Sequence, residues 1–250
     1  MLNKNRFLFR IYGDSLTMAR SEAGIFYFDT YWNILAEKCS EIWKPVHISS
    51  YVRHNPGMTI IDLYNQYVTD SCYFLEVAGD ILIIHCGICD CAPRPIPKSL
   101  RDSISRLPVV IRNPIVKFLH KFRSKLLRLG LSWRVVDPER FREIYQAFLQ
   151  KAVKEVPYVC VINIAPTTPK NDEHSPGLSS SIELYNKIIK DIVDSISTNN
   201  LFLLDVHSEI LSRENALEIF INKTDGHHLT KEGHLFYADL FLRKVISELK

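Results

Sequence analysis

The chain has 250 residues, 46% of them apolar and 24% charged, and carries a formal net charge of +3 at pH 7. That length fits one domain with a single large core, and the composition is ordinary for a globular protein. Apolar runs stay strand-sized, such as ILII at 81–84, which excludes a membrane-spanning helix, and the first strand pattern begins too close to Met1 for a secretory leader. A reducing, cytoplasmic location is expected, where six cysteines need not pair.

In chain order, the predicted strands are RFLFRIY (6–12), VHISSY (46–51), DILIIHC (80–86), YVCVINI (158–164) and LFLLDV (201–206). They are rich in Ile, Val, Leu and Phe and nearly continuous, as strands covered on both faces should be. Helical patterns alternate with them at 28–39, 58–68, 114–129, 138–156, 180–196 and 231–249. This alternation predicts an α/β protein, a flavodoxin-like three-layer sandwich whose five-stranded parallel sheet has helices on both faces. Ligands bind such sheets at the carboxyl ends of the strands, so the residues that follow each strand are where chemistry is expected.

Strand one runs into Gly13-Asp14-Ser15, and strand two is followed by Arg53-His54-Asn55-Pro56-Gly57. Gly87-Ile88-Cys89-Asp90 follows strand three, APTTP follows strand four, and DGHHLT (225–230) stands near the C-terminus. Nucleophilic catalysis by serine needs a hydroxyl, an imidazole to take its proton, a carboxylate to orient the imidazole, and N–H groups for the oxyanion. Each has a candidate on this one edge.

In these blocks the sequence resembles the SGNH (GDSL-type) serine hydrolases: GDS at 13–15, a glycine in PGMT (56–59), a GxxD block at 87–90, and DxxH from Asp225 to His228. Each block is short, but four in family order span residues 6–249, nearly the whole chain. The resemblance implies a single hydrolase domain over 1–250, with Ser15 as nucleophile, His228 as base, Asp225 as orienting carboxylate, and the N–H groups of Ser15 and Gly57 as oxyanion donors. Asp14 belongs to the same block as Ser15 and counts among the expected oxyanion and substrate-binding residues. The residues agree: Asp225 lies three positions before His228, and Gly57 has no side chain where backbone must approach substrate.

One block departs from the family. Its third motif normally reads Gly-x-Asn-Asp, with the Asn amide as the third oxyanion donor, and here Cys89 takes that position. A thiol is a weak donor, and losing one such donor typically costs roughly 10²–10³ in rate. Arg94, in the same loop, and Asn163, at the end of strand four, are the substitutes the sequence offers. Arg94 has a second reading, as the holder of an anionic part of the substrate. Asp90 is expected to fix its loop.

The cluster His85, Cys86, Cys89 and Cys91 has the look of a metal site, but structural zinc usually takes two separated ligand pairs and no second pair stands nearby. A modified oxyanion loop on a buried strand is the expectation, with a reactive thiol as the alternative. No metal or other cofactor is implied. His227 is expected to be an exposed turn residue. No G-x-G spacing, no glycine before lysine and no G-x-S-x-G occur, so dinucleotide, P-loop and lipase-elbow chemistries fall away.

From Arg94 to Arg134 there are eleven Lys/Arg against one acid, Asp102, so this segment is strongly basic within an otherwise acidic chain. A basic helical insertion is expected at about 92–136. On the predicted 114–129 helix, Ile115, Phe118, Leu119, Phe122, Leu126 and Leu129 share one face, while Lys117, Lys121, Lys125 and Arg128 share another. The readings are a core-packed helix with a solvated basic face, a helix peripheral to an anionic membrane, or a platform for an acidic glycan or lipid-linked substrate. Nucleic acid is not expected, because no aromatic residues interleave with the charges as a stacking platform would need. The preferred function is hydrolysis of small acyl esters on a carbohydrate or lipid-linked glycan through an acyl-enzyme. An acyltransferase and a non-catalytic binding protein are the rivals.

Overall fold

A computed structural model describes residues 5–73 and 79–249. In chain order the elements are β1 (Arg6–Gly13), α1 (Tyr31–Ile42), β2 (His47–His54), α2 (Ile60–Tyr73), β3 (Ile81–His85), α3 (Ile88–Cys91), α4 (Lys98–Ser105), α5 (Val109–Lys121) and α6 (Arg123–Arg128). There follow α7 (Pro138–Glu155), β4 (Tyr158–Ile162), α8 (Pro169–His174), α9 (Leu178–Ser195), β5 (Leu201–Leu204), α10 (Val206–Leu211), α11 (Ala216–Phe220) and α12 (Lys231–Lys244). All strand pairs are parallel and the five strands lie in the order β2-β1-β3-β4-β5. This is the expected flavodoxin-like sheet, and β1 and β3 lie side by side at its switch point.

Strand alternation divides the core in two. Tyr12, Leu82, Ile84 and Val161 pack against α2, α7 and α9 on one face, through Tyr67, Phe148 and Ile189 among others. Phe9, Ile11, Ile83 and Cys160 pack against α1, α10 and α12 on the other, through Leu35, Ile210 and Phe241. Both faces of the central strands are covered, which is why their sequences are continuously apolar. Arg10 is the exception, a charge buried on β1. It donates to the Tyr12 hydroxyl at 2.7 Å, and that hydroxyl donates to Asp70 of α2 at 2.6 Å. Arg53 reaches the same carboxylate from β2, so the buried charge belongs to a satisfied network.

Local chemistry sets the helix starts. Asp137 caps α7 by accepting the Arg140 N–H, with Pro138 at the first helical position. Thr230 caps α12 through the Gly233 N–H, and the Asp62 carboxylate accepts both the N–H and the hydroxyl of Thr59 ahead of α2.

The structure departs from the sequence reading in two places. The second strand runs on to His54, so Arg53 and His54 pair with Tyr12 and Gly13 rather than standing in a loop. The single helix expected at 114–129 is two. The first, α5, begins before Pro114 and carries it internally, and the chain breaks at Phe122 (φ −101°, ψ 7°) before α6. The break turns Arg123 back toward the body of the protein, where it meets Pro93 and Ser175. Nor is this pair core-packed: Leu127 is buried, Ile115, Leu119, Phe122 and Leu126 are half-buried, and Phe118 and Leu129 are exposed. Among the described residues no helix is long and apolar enough to cross a membrane.

Candidate active site

The β1 strand ends at Gly13, and a one-turn 3-10 helix, Ser15–Thr17, begins at once. Asp14 caps it by accepting the Leu16 N–H at 2.9 Å. The turn leaves Ser15 half-buried at the carboxyl edge of the sheet. His228 arrives from the far end of the chain, its Nε2 2.9 Å from Ser15 Oγ and its Nδ1 3.1 Å from Asp225 Oδ2.

The Asp225–His228 loop is held by close packing. Gly226 has φ +74°, and a Cβ there would stand 2.3 Å from the Asn171 Cβ. Its carbonyl accepts from the Thr168 N–H at 3.1 Å and from the Thr167 hydroxyl at 2.8 Å. Only glycine allows this approach of the loop to the segment after β4.

Asp225 accepts the His228 N–H at 3.0 Å, the His227 N–H at 3.2 Å and the Arg20 guanidinium at 2.7 Å, besides the His228 ring. Burial opposes its charge, but the His228 and Arg20 hydrogen bonds outweigh burial and hold the carboxyl well below the usual range. It therefore stays ionised opposite the imidazole across the working pH range. Arg20 was invisible to sequence reasoning; no motif includes it, and only the fold carries it to a carboxylate 205 residues away.

The block Gly87–Asp90 follows β3 and opens the short helix α3, with Gly87 at its N-cap. Cys89 lines the same cavity as Ser15. Gly57 is exposed, with φ +78° and open space on its Cβ side. Burial pushes the Cys89 thiol up, reinforced by the nearby Asp14 and Asp90, so it stays protonated. Asp90 joins the second block to the third. Its buried Oδ1 accepts the N–H of Ile60, the first residue of α2, at 3.0 Å, and its carbonyl accepts the Val135 N–H at 3.2 Å.

Three expectations are corrected. Asp14 is fully buried beside Ser15 and absent from the cavity wall; it caps the Ser15 turn rather than lining the site. Asn163 cannot stand in for the missing amide donor: its Nδ2 is committed to Asp205 at 2.7 Å and its Oδ1 to the His207 N–H at 3.2 Å. His227 is not an exposed turn residue. It lines the cavity, with its ring 4.1 Å from that of His228 and its Nδ1 donating to the Asp225 carbonyl. Arg94 does line the cavity, together with Arg123, His120 and His174.

The His85/Cys86/Cys89/Cys91 cluster does not converge. His85 points to the α1/α12 face, 3.2 Å from the Tyr31 hydroxyl, while Cys86 and Cys91 pack into the opposite core. Burial pushes the His85 imidazole down to about 3, so it stays neutral. Donor atoms of Asp225, His227 and His228 lie within 4.8 Å of one another, but His228 spends its ring nitrogens on Ser15 and Asp225, and Asp225 is paired with Arg20. Their proximity is that of a hydrogen-bonded relay.

No protein-family model matches this sequence, and a sequence search finds no matching curated protein. Its fold is similar to that of a lipase/acylhydrolase from Enterococcus faecalis, at a TM-score of 0.66 and 14% identity over 98% of this chain and 97% of that one. It is also similar to an acetyl xylan esterase, AlAXEase (TM-score 0.62, 22% identity, 96% and 100% covered). A third likeness is to Axe2, an acetylxylan esterase from Geobacillus stearothermophilus (TM-score 0.61, 16% identity, 95% and 93% covered).

Asp14 gives a pH test of this arrangement. Burial pushes its carboxyl up from 3.8 to about 7. Between those values the folded protein binds a proton that the unfolded chain does not, so stability falls as pH rises from about 4 to 7 and stays lower above it. Asp14→Asn keeps the Oδ1 acceptor and removes the charge. Relative to wild type, its melting temperature should rise more at pH ~8.5 than at pH ~5; an equal difference at both would show that Asp14 carries no buried charge.

Proposed function

We propose that this protein is a serine-dependent carboxylic ester hydrolase of the SGNH type, working through an acyl-enzyme. The observation that carries the reading is the continuous relay from Ser15 Oγ through the His228 ring to Asp225, at 2.9 and 3.1 Å. His228 Nε2 takes the hydroxyl proton as Ser15 Oγ bonds to the ester carbonyl carbon, and the carbonyl oxygen becomes an oxyanion facing the N–H groups of Ser15 and Gly57. Collapse breaks the ester C–O bond, and His228 returns the proton to the departing alkoxide. Water then attacks the acyl-enzyme, giving its proton to His228, which passes it to Ser15 as the carboxylic acid leaves. Asp225 fixes the imidazole tautomer and stabilises the imidazolium; Arg20 is a positioning residue that holds Asp225 in turn.

Esters of carbohydrates are the substrate class we favour, since two of the structural likenesses are to acetyl xylan esterases. At the Asn position of the oxyanion loop the protonated Cys89 thiol offers a weak hydrogen bond, so turnover below that of an Asn-bearing enzyme is the expectation.

A fluorophosphonate probe should form one adduct, on Ser15, lost in Ser15→Ala; no adduct under conditions that label an active serine esterase would sink the catalytic reading. Restoring the amide by Cys89→Asn should raise kcat by about tenfold or more, toward the roughly 10²–10³ that one donor is worth. An unchanged or lower kcat in a folded variant would mean that position 89 does not face the oxyanion.

A further inference from the structure

The cavity that Ser15 opens into has a volume of about 520 Å³ and a basic wall. Arg94, Arg123, Lys170 and Lys223 line it with His120 and His174, while its acid, Asp225, already belongs to Arg20 and His228. The two arginines are half-buried, whereas Lys170 and Lys223 are exposed. Arg123 is anchored, donating to the Pro93 carbonyl and to Ser175 Oγ at 2.8 Å, both neutral acceptors. Arg94 is fixed through its backbone, which pairs in both directions with Trp133. Its buried Nε has no acceptor among the described residues.

Neither guanidinium has a carboxylate partner among the described residues, and Arg123 donates to the carbonyl of Pro93, the residue before Arg94, on the same cavity wall. Burial and then Arg94 push Arg123 down to about 10, while burial and then Arg101 lower Arg94. Enclosing two like charges with no counter-charge is costly, and an anion bound between them would offset that cost through charge-assisted hydrogen bonds. Guanidinium forks match the oxygens of carboxylate, phosphate and sulfate. A neutral sugar ester would leave both forks unpaired.

We infer that Arg94 and Arg123 form an anion-binding subsite, which holds a carboxylate, phosphate or sulfate carried by the substrate while its ester carbonyl lies at Ser15. This rests on the reading of Ser15 as nucleophile, and narrows the substrate to acyl esters of anionic compounds. The basic segment acquires a role through it: α6 supplies Arg123, α5 supplies His120, and the loop before α4 supplies Arg94 to one wall.

The test compares para-acetoxybenzoate with its neutral methyl ester. Wild type should favour the anion in kcat/KM by about tenfold or more, the size of one charge-assisted hydrogen bond. Arg94→Gln should bring the ratio near unity, and Arg94→Lys should keep part of it. A ratio near unity in wild type, or equal loss on both esters in Arg94→Gln, would overturn the subsite; equal loss would instead fit an oxyanion or structural role. Titration calorimetry with inorganic phosphate separates this from the catalytic reading. Ser15→Ala should bind phosphate at millimolar concentration and Ser15→Ala/Arg94→Gln should not. If neither ester is hydrolysed but this difference persists, the subsite stands and the nucleophile assignment fails. No phosphate binding to Ser15→Ala would overturn the subsite.

A separate observation concerns the outer face of α5. Val110, Ile111 and Phe118 are 80%, 51% and 55% exposed, and with Pro114 they fall within about 100° on the helical wheel, with Lys117 and Lys121 along that arc. A second copy of this chain would bring its own excess of Lys/Arg against the same face, whereas an anionic bilayer offers both an apolar interior and a complementary charge. We infer that this face rests on anionic phospholipid. The protein should sediment with phosphatidylcholine vesicles containing phosphatidylserine, less so at high salt, and Val110→Asp/Phe118→Asp should abolish it. Equal binding to pure phosphatidylcholine vesicles, no binding at all, or self-association lost in the same variant would overturn the assignment.

Discussion

The charge on Asp225 is the constraint on which the carboxyl edge of this protein depends. Four donors converge on that carboxylate: the His228 ring, two backbone N–H groups of its own loop, and the Arg20 guanidinium. They hold it ionised despite burial, and an ionised carboxylate there fixes which nitrogen of His228 faces Ser15. The donors come from opposite ends of the chain, so this one group also pins the last loop to the segment after β1. Packing completes what the charge begins, since Gly226 lets the same loop approach Thr167 and Thr168 behind β4.

Around that centre, buried polar groups divide by whether they are answered. Arg10 is answered through Tyr12 and Asp70 and belongs to the scaffold. Asn163 is answered on both its amide atoms and drops out of the chemistry. Asp14 and Asp90 each spend one oxygen on a backbone N–H and leave the other without a partner among the described residues. One caps the turn that carries Ser15, and the other joins the loop after β3 to the start of α2. Arg94 is paired through its backbone, its buried Nε has no acceptor among the described residues, and it lines the cavity. Unpaired buried charge is expensive wherever it occurs, so an unpaired guanidinium at a cavity wall points outward, to what enters.

The fold is similar to that of a lipase/acylhydrolase and of acetyl xylan esterases, and fold alone does not choose a substrate. Two local features bear on the chemistry of this chain: the Cys89 thiol after β3, and a cavity wall built partly from a basic helical segment. On the proposed reading, the first weakens the hold on developing negative charge at the carbonyl, and the second strengthens the hold on fixed negative charge elsewhere in the substrate. Binding energy from a remote group can be used to position the reacting one, and on the proposed reading this is how a weak oxyanion hole is made serviceable.

The sequence by itself determined the five strands, the order of the blocks that follow them, and the pairing of Asp225 with His228. Strand periodicity is local, and a carboxylate three residues before a histidine needs only its own loop to reach it. It also placed Cys89 beside Ser15, because each lies directly after a central strand, and neighbouring parallel strands end at the same edge. It misplaced Asn163 and Asp14, whose residue types suit a site but whose hydrogen bonds are spent elsewhere, and it read one helix at 114–129 where Phe122 breaks the run. Arg20 on Asp225, and Arg123 beside Arg94, were decided by tertiary structure alone. Each depends on a distance between segments far apart in the chain, and no local pattern of residues encodes the distance across a fold.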